Sequence, residues 1–424
     1  MLDLKFIREN PDLVREGARK KRIPFDLDRL LALDKEKREI QTRTEVLAAE
    51  QRRSGKEVAS AAPEARAALI ARQAELKREK TALEERLKEM EADLHALLLR
   101  VPMPPAAEVP EGKDDTENQT RSTWGTPSHF DFAPKDHVAL GEQLGIVDFE
   151  RGSRIAGSRN YFLKGLGALL ESAVLRLAVD HMVKKGFTLM APPVLVRDEA
   201  MIGTGYYPGG EEQAYRCERD ALSLVGTSEV PLTSYHAGEI LDPAQLPLRY
   251  VACTPCFRRE AGAAGQATRG LYRVHQFTKV EQVVIGPADE AWSREEHFRI
   301  LQNSEELVRM LELPYRVVDV CGGDLGQGQV QKFDIECWMP GRGGYGETHS
   351  ASRFHDFQAR RLELRYRPGD GGKPVICHTL NNTVIASPRI LIPLLEVHQQ
   401  ADGSVRIPQA LRPYLGGLER IGGS

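Results

Sequence analysis

Two runs of residues with heptad spacing occupy the first hundred residues of the chain. Positions in the first run recur at alternating intervals of three and four residues, at Leu30, Leu33, Lys37, Ile40, Thr44 and Leu47. The second run repeats this spacing at Leu69, Gln73, Leu76, Lys80, Leu83, Leu87, Met90, Leu94 and Leu97. Ser54-Gly55 and Pro63 break the helix between them. The pattern predicts an antiparallel two-stranded coiled coil over residues 27–100.

A two-helix arm of this kind projects from the protein and does not pack around a hydrophobic core of its own. At 1.5 Å per residue, a helix of about 30 residues is roughly 45 Å long. The charges along its flanks are of both signs, and most of them are explained by contact with solvent. The length of the arm nevertheless favours a role in reaching a partner.

The arm ends at a proline-rich segment. Val101-Pro102-Met103-Pro104-Pro105 cannot continue a helix. Residues 104–121 are rich in Pro, Glu, Asp and Asn, which predicts a linker. Because 424 residues exceed one ordinary domain, we expect a helical domain over 1–103 and a second domain over 104–424.

Composition limits the partners and the compartment. A net charge of −3 gives no overall attraction to nucleic acid, so such a partner must meet a local basic patch. The chain has no apolar run of about 18 residues, and its first residues lack the apolar stretch of a secretion signal, so we expect neither a membrane span nor secretion. Its 6 scattered cysteines indicate reduced thiols in the cytoplasm. Cys253 and Cys256 form an isolated CxxC, for which we predict core packing and not zinc binding.

A predicted β-hairpin lies near the middle of the chain. The apolar segment 248–257 and the β-branched run 280–285 are typical strands. The small, glycine-rich residues 261–266 between them predict a long mobile loop. The two segments are therefore expected to pair as antiparallel strands.

The hairpin carries an unusual order of side chains. Alternate residues of a strand share a face, which would align Arg273, Phe277 and Glu281, and also Arg258 with Glu260. A surface with cations, an aromatic ring and carboxylates could bind a polyphosphate, a nucleobase and an ammonium group. The alternative is an ordinary hairpin with a solvated charged face.

Three further segments carry groups suited to ligands. Thr227 and Glu229 present a hydroxyl and a carboxylate two residues apart, which suits a small cationic ligand, although Thr-x-Glu before proline is also a helix cap. Residues 346–352 offer oxygen ligands of the kind Mg²⁺ takes. After a strand over 379–383, Ser387-Pro388-Arg389 predicts a helix start that favours an anion.

The remaining elements are predicted from periodicity. Residues 161–185 form a helix with a broad apolar face, and 187–190 form a short strand before Pro192-Pro193. Residues 289–313 form an amphipathic helix, while 315–320, 333–338 and 362–367 form strands.

The combination and order of these motifs resemble those of bacterial-type seryl-tRNA synthetases of class II, over essentially the whole length of the chain. The similarity lies in the coiled-coil arm, the helix and strand ending at Pro192-Pro193, the Phe-Arg-x-Glu-Ala-Gly hairpin from Phe257, and the final Asn381-x-Thr383 strand leading to Arg389. It implies an α+β fold, in which an antiparallel sheet flanked by helices follows the N-terminal arm. It also implies a homodimer formed through the helix and strand before Pro193.

The resemblance further implies that the enzyme activates L-serine with ATP and Mg²⁺ to seryl-adenylate and transfers it to tRNA. Matching positions assign catalysis to Arg258 and Arg389. They assign ATP binding to Arg258, Arg259, Glu260, Arg273, Val274, Phe277, Glu347, Thr348, His349, Ser350 and Arg389. They assign Mg²⁺ binding to Glu347 and Ser350. They assign serine binding to Thr227, Ser228, Glu229, Arg258, Glu281, Asn381 and Thr383.

Some positions depart from the family's commonest motifs. Ser228 stands where alanine is common and should point away from the ligand. Asn382 and Thr383 replace Gly-Ser, and Ser387-Pro388 replaces Val-Gly, before Arg389. The hydroxyl of Thr383 and the cation of Arg389 keep their spacing, so the chemistry should survive with a stiffer loop.

For the arm, the resemblance implies docking on the long variable arm and elbow of tRNA(Ser) and, in organisms that make selenocysteine, on tRNA(Sec). Candidate phosphate contacts are Arg52, Arg53, Lys56, Arg72, Lys77 and Arg78. An amino acid:carrier-protein ligase would lack the arm. A synthetase-like dimeric interaction protein would have lost substrate residues that this chain retains. Threonine and proline are the alternative amino acids.

Overall fold

The computed structural model describes residues 1–262, 270–369 and 371–423. The chain divides into two compact units, one made of Met1–Arg19 and Ile23–Pro102, the other of Lys20–Arg22 and Met103–Ser424. Within the described ranges, we find no helix whose length and apolar character would let it cross a bilayer.

The first unit is helical, with α1 Leu4–Glu9, α2 Pro11–Lys20, α3 Leu27–Ser60 and α4 Pro63–Leu98. The side chain of Asp26 accepts a hydrogen bond from the Arg29 backbone N–H and caps α3. Ion pairs link Glu36 to Arg86 and Arg43 to Glu79, so positions later in α3 meet positions earlier in α4. This ordering confirms the antiparallel coiled-coil hairpin.

The position of the bend differs from the prediction. Helix α3 continues through Ser54-Gly55 to Ser60, and the chain turns at Ala61-Ala62. A glycine inside a helix costs only about 1 kcal/mol. A Cβ at Gly55 would lie 3.4 Å from the Gln73 side chain, an ordinary contact distance, so this glycine neither breaks the helix nor is required by its packing.

The second unit contains both helices and strands. Its helices are α5 His137–Gln143, α6 Phe149–Ala156, α7 Leu166–Lys184, α8 Asp198–Thr204, α9 Glu229–Ser234, α10 Glu290–Met310, α11 Phe357–Arg361 and α12 Leu391–Val397. Its strands are β1 Gln119–Trp124, β2 Val147–Asp148, β3 Phe162–Leu163, β4 Thr188–Met190, β5 Leu195–Arg197, β6 Arg216–Cys217, β7 Leu222–Leu224, β8 Ile240–Leu241, β9 Leu248–Phe257, β10 Gln276–Gly286, β11 Tyr315–Asp319, β12 Gln331–Met339, β13 Gly344–His355, β14 Arg365–Tyr366, β15 Val375–Ile376, β16 His378–Ser387, β17 Val405–Arg406 and β18 Arg420–Ile421.

An eight-stranded sheet organises this unit, in the order β1-β11-β12-β13-β16-β10-β9-β4. Its pairs are antiparallel except for β4, which runs parallel to β9 at one edge. The predicted hairpin is confirmed, since Phe257 pairs with Gln276 and Leu248 with Ile285. Helices α7, α10 and α12 cover the sheet, and their buried side chains join those of the strands in one apolar core. The predicted antiparallel sheet flanked by helices is confirmed.

Local differences from the sequence predictions are concentrated at element ends. Arg273 precedes β10 and Glu260 follows β9 with φ 51°, so the strand alternation predicted for these two residues is wrong. Cys253 is exposed, not packed in the core, while Cys256 is buried. The predicted helix over 161–185 begins only at Leu166 because the short strand β3 precedes it. The loop predicted over 261–266 lies mostly outside the described residues.

The predicted helix start at Ser387-Pro388 is also wrong. Strand β16 extends to Ser387, and α12 begins only at Leu391. The Ser387 hydroxyl donates to the Glu171 carboxylate at 2.8 Å and does not cap a helix. Likewise, the strand predicted over 362–367 shortens to Arg365–Tyr366, because α11 extends to Arg361 and Leu362 is its C-cap.

The segment predicted as a linker, 104–121, makes many contacts with the second unit. Val109 is buried beside Val320 and Leu325. The Ala106 backbone N–H donates to the Val330 carbonyl at 2.9 Å, and Gln119 begins the edge strand β1. Proline and acidic residues therefore mark an irregular but packed segment here.

Candidate active site

A cavity of about 300 Å³ opens beside β10, β13 and β16. These three strands are neighbours in the sheet, and Glu281 of β10 stands opposite Thr383 of β16. The cavity is lined by most of the residues predicted for ATP and serine: Glu229, Arg258, Glu260, Arg273, Val274, Phe277, Glu281, Glu347, Thr348, His349, Ser350, Asn381, Thr383 and Arg389. The fold thus brings together residues as far apart in sequence as Glu229 and Arg389.

Cationic side chains occupy one part of the wall. Arg258 Nε donates to the Gly226 carbonyl at 3.3 Å, and its guanidinium carbon lies 5.1 Å from the centre of the Phe277 ring. Arg389 donates to the carbonyls of Tyr272 and Glu347 at 3.1 and 3.3 Å. A guanidinium has five N–H donors, so both arginines are positioned with donors left for an anion.

Arg273 is held differently. Its Nη1 donates to the Glu260 carboxylate at 3.0 Å, and Arg159 lies 3.8 Å from the same carboxylate. Arg273 and Glu260 therefore lie together because of this ion pair, and not because they alternate along a strand.

Two buried carboxylates line another part of the cavity. Glu229 accepts hydrogen bonds from the Tyr206 hydroxyl at 2.9 Å and from Gln358 Nε2 at 2.7 Å. Glu281 forms an ion pair with Lys279, and the Thr383 hydroxyl donates to it at 3.4 Å. Burial raises the pKa of both carboxyl groups above the ordinary value, and for Glu281 the Lys279 ammonium opposes this shift.

Sequence reasoning missed Lys279, Tyr206 and Gln358. Lys279 lies two residues before Glu281 on the same strand, so alternation along β10 could have found it. Tyr206 follows α8 and Gln358 lies in α11, and no local pattern connects either residue to Glu229.

Three predicted residues do not line the cavity. The Thr227 hydroxyl accepts a hydrogen bond from the Glu229 backbone N–H at 3.1 Å, at the turn that leads into α9, whose N-cap position is taken by Ser228. Ser228 is buried away from the cavity, and Arg259 is exposed. The chain turns into α9 after Gly226, so only Glu229 of this motif reaches the cavity.

The residues predicted for magnesium supply oxygen atoms only. Glu347 and Ser350 lie on β13, and Asp334 stands opposite Ser350 on β12 with one buried carboxylate oxygen lacking a described hydrogen-bond partner. Burial raises the pKa of Asp334 to about 7. Burial also acts to raise the pKa of Glu347, but Arg389 and other cations outweigh it and lower that pKa. An ionised Glu347 with a neighbouring hydroxyl fits Mg²⁺, which takes few protein ligands and completes its shell with phosphate oxygens and water.

The sheet and its cavity define a class II aminoacyl-tRNA synthetase. Residues 215–398 match the family model of the tRNA synthetase class II core domain (G, H, P, S and T). Residues 1–105 match that of the seryl-tRNA synthetase N-terminal domain. The chain belongs to the seryl-tRNA synthetase family, as a relative that is 50% identical over its full length also shows.

Similar proteins cover the chain from end to end. Serine–tRNA ligase of Deinococcus radiodurans is 50% identical over 422 residues, which are 100% of this chain and 99% of that protein. The crystal structure of seryl-tRNA synthetase from Pyrococcus horikoshii complexed with ATP has a TM-score of 0.94 at 39% identity and covers 100% of both chains. That of the cytoplasmic serine–tRNA ligase from Naegleria fowleri in complex with AMP has a TM-score of 0.89 at 30% identity, over 99% of this chain and 98% of that one.

The raised pKa of the buried Glu229 carboxyl group makes a testable difference to the pH dependence of stability. Because its pKa is raised above the ordinary 4.5, the folded carboxyl holds its proton more tightly than the unfolded one. This group therefore lowers the free energy of unfolding as pH rises from 4.5 through the raised pKa. We expect the melting temperature of Glu229→Gln, minus that of the parent, to become more positive between pH 5 and pH 8. The KM for serine should rise about tenfold with the loss of one charged hydrogen-bond partner.

Thermal unfolding at both pH values, with serine titrations in ATP–pyrophosphate exchange, measures these effects. Glu218→Gln, which changes an exposed glutamate, is the matched control and should alter neither quantity. A melting-temperature difference that moved in the negative direction with rising pH would show that Glu229 is stabilised as a carboxylate.

Proposed function

We propose that this cavity binds ATP and L-serine side by side and joins them as seryl-adenylate. The observation that carries the proposal is the meeting of arginines, an aromatic ring and two buried carboxylates around one space. The arginines suit a triphosphate, Phe277 suits the face of adenine, and the carboxylates suit the ammonium group of an amino acid. No single strand provides the whole arrangement, since Phe277 and Glu281 come from β10 and Thr383 from β16.

In the first step, a carboxylate oxygen of serine attacks the α-phosphorus of ATP. A bond forms between these two atoms, the bond from the α-phosphorus to the bridging oxygen breaks, and pyrophosphate leaves. Serine is already ionised, so no general base is required. The enzyme must instead stabilise negative charge on phosphate oxygens, for which Arg258 suits the α-phosphate and Arg273 and Arg389 suit the outer phosphates.

Mg²⁺ is the metal of this reaction, and Glu347 and Ser350 are the residues that would hold it. When bound, it supplies positive charge that further neutralises the phosphates. In the second step, a ribose hydroxyl of the terminal adenosine of tRNA attacks the serine carbonyl carbon. The bond from that carbon to the adenylate oxygen breaks, AMP leaves, and the hydroxyl proton passes to a phosphate oxygen or to water. Seryl-tRNA is the product.

Selection of serine is proposed to depend on the Glu281 and Thr383 pair. Both side chains are buried, and the Thr383 hydroxyl lies within hydrogen-bonding distance of Glu281. A site built to bond a substrate hydroxyl leaves its own groups unpaired when alanine occupies it. Glu229, fixed by Tyr206 and Gln358, is the proposed partner of the substrate ammonium.

The coiled-coil arm is proposed to bind tRNA(Ser) and, where the organism makes selenocysteine, tRNA(Sec). Supporting this role, the basic residues predicted near the tip and along α4 are all exposed: Arg52, Arg53, Lys56, Arg72, Lys77 and Arg78. Exposed cations on a long rod can follow a phosphate backbone without reading bases.

Removal of the arm should separate the two steps. We expect a variant with residues 30–95 replaced by a short flexible turn to keep ATP–pyrophosphate exchange within about threefold, because the cavity is built by the second unit alone. Charging of tRNA should fall by at least about a hundredfold, as expected when several phosphate contacts are lost together. Parallel assays of exchange and charging on one preparation provide the measurement. Full charging by the variant would contradict the proposed role of the arm.

We further propose a homodimer, formed through α7 and β4, that acts in the cytoplasm. Supporting the dimer, β4 is an edge strand, and Leu169 and Leu189 are large apolar side chains that are 54% and 51% exposed in the single chain. Supporting the cytoplasm, all 6 cysteines are free thiols.

A further inference from the structure

A buried lysine supports the active-site cavity from outside it. Lys21 lies between α2 and α3, is only 2% exposed, and belongs to the same compact unit as the cavity. Its Nζ donates to the backbone carbonyls of Gly326, Gln327 and Gln329 at 3.0, 2.9 and 2.5 Å. An ammonium group has three N–H donors, so all of them are used on one four-residue segment, the 326–329 loop.

The 326–329 loop is part of the cavity wall. All four of its residues line the cavity, next to Ser352, Phe354 and Phe357. Gln329 closes the loop because its Oε1 accepts from the Gly326 backbone N–H at 2.7 Å and its Nε2 donates to the Ser352 hydroxyl at 2.8 Å. Ser352 lies two residues after Ser350 on β13, so the loop is attached to the strand that carries the proposed magnesium ligands.

The loop fits closely against its surroundings. A Cβ at Gly328 would lie 2.4 Å from two carbons of the Phe357 ring, so only glycine fits this approach. The carbonyls of three loop residues converge on one nitrogen, an arrangement in which their dipoles repel one another unless a cation neutralises them. Two backbone N–H groups also donate to these carbonyls, that of Met103 to Gln327 at 2.9 Å and that of Gln329 to Gly326 at 3.2 Å, but the Lys21 ammonium contacts all three.

We propose that Lys21 is a positioning residue of this synthetase, which fixes the 326–329 loop so that the cavity has its binding shape before ATP and serine enter. Lys21 does not touch the reacting groups. It acts through the loop. Because the loop is already ordered, substrate binding does not carry the entropy cost of ordering it.

Lys21→Met tests this role in the full-length protein. Methionine keeps a similar length and removes the ammonium, which takes the charged donor away from all three part-buried carbonyls and releases the loop. In ATP–pyrophosphate exchange, we expect the KM values for ATP and serine to rise about tenfold, the scale of one or two lost charged hydrogen bonds. The kcat should change by less than about threefold, because the arginines are untouched.

Two variants control the interpretation. Lys21→Arg keeps a cation with several N–H donors and should restore KM to within about threefold of the parent value. Arg22→Met removes a neighbouring exposed charge from the same segment and should leave both constants unchanged. Because exchange requires no tRNA, an effect there cannot arise from the arm's proposed contact with RNA.

The outcomes divide clearly. Raised KM values in Lys21→Met, rescued in Lys21→Arg, would establish the positioning role even if both variants melt at lower temperatures. A fall in kcat at unchanged KM would indicate a smaller folded fraction and overturn the proposal. A defect confined to tRNA charging would overturn it too.

Discussion

Arg258→Ala should lower the rate of ATP–pyrophosphate exchange by two or more orders of magnitude. The reason is geometric, because Arg258 is anchored by the Gly226 carbonyl and the Phe277 ring and lines the cavity where the α-phosphate is proposed to react. A preorganised charge contact that strengthens in the transition state is worth about 10²–10³ in rate. The loss should therefore appear in kcat as well as in kcat/KM.

The adjacent arginine is the matched control. Arg259 is exposed and does not line the cavity, so Arg259→Ala should retain exchange within about threefold. Arg258→Lys should recover little, since an ammonium cannot reproduce the planar, bidentate guanidinium. Normal exchange by Arg258→Ala, or equal losses in both alanine variants, would contradict the placement of the α-phosphate.

Glu281→Ala should remove most of the discrimination between serine and alanine. Glu281 is buried beside Thr383 and is paired with Lys279, so it is the polar group best placed to bond a substrate hydroxyl in this cavity. Sites that bond a substrate hydroxyl reject the analogue lacking it by about 10⁴–10⁵. We expect the ratio of kcat/KM for serine to that for alanine to fall by at least about a hundredfold.

The ratio is the quantity to measure, because it does not depend on the fraction of enzyme that is folded. Truncation of Glu281 also leaves the Lys279 ammonium buried without its partner, which is costly in itself. The double variant Glu281→Ala, Lys279→Met removes both charges and should show the same loss of discrimination with better stability. An enzyme without Glu281 that still rejected alanine would place the serine hydroxyl elsewhere.

Local patterns predicted the parts of this fold that depend on neighbouring residues. Short-period patterns mark the heptads of α3 and α4 and the apolar strands β9 and β10. Their pairing could therefore be predicted from the sequence. Element ends could not be predicted in the same way. Ser387-Pro388-Arg389 has the composition of a helix start, but the backbone of β16 continues pairing with β10 as far as Ser387. Tertiary pairing outweighed local preference there.

The candidate site shows the same division. Arg258, Phe277 and Glu281 were identified from one hairpin, because strand geometry and family motifs both place them near each other. Tyr206 and Gln358, which hold Glu229, lie far apart in sequence and have no motif that links them. Residues such as these, which position a site residue through tertiary contacts, have no periodic pattern in the sequence that would identify them.

The most direct test of the central claim is ATP–pyrophosphate exchange by the full-length protein with serine, threonine, proline, alanine and glycine as separate substrates. A cavity with Glu229 for the ammonium and Glu281 with Thr383 for the hydroxyl predicts rapid exchange with serine, at a kcat/KM at least about a thousandfold above that for alanine or glycine. Threonine and proline should also be poor substrates. Preferential exchange with threonine or proline, or no exchange with serine, would contradict the account.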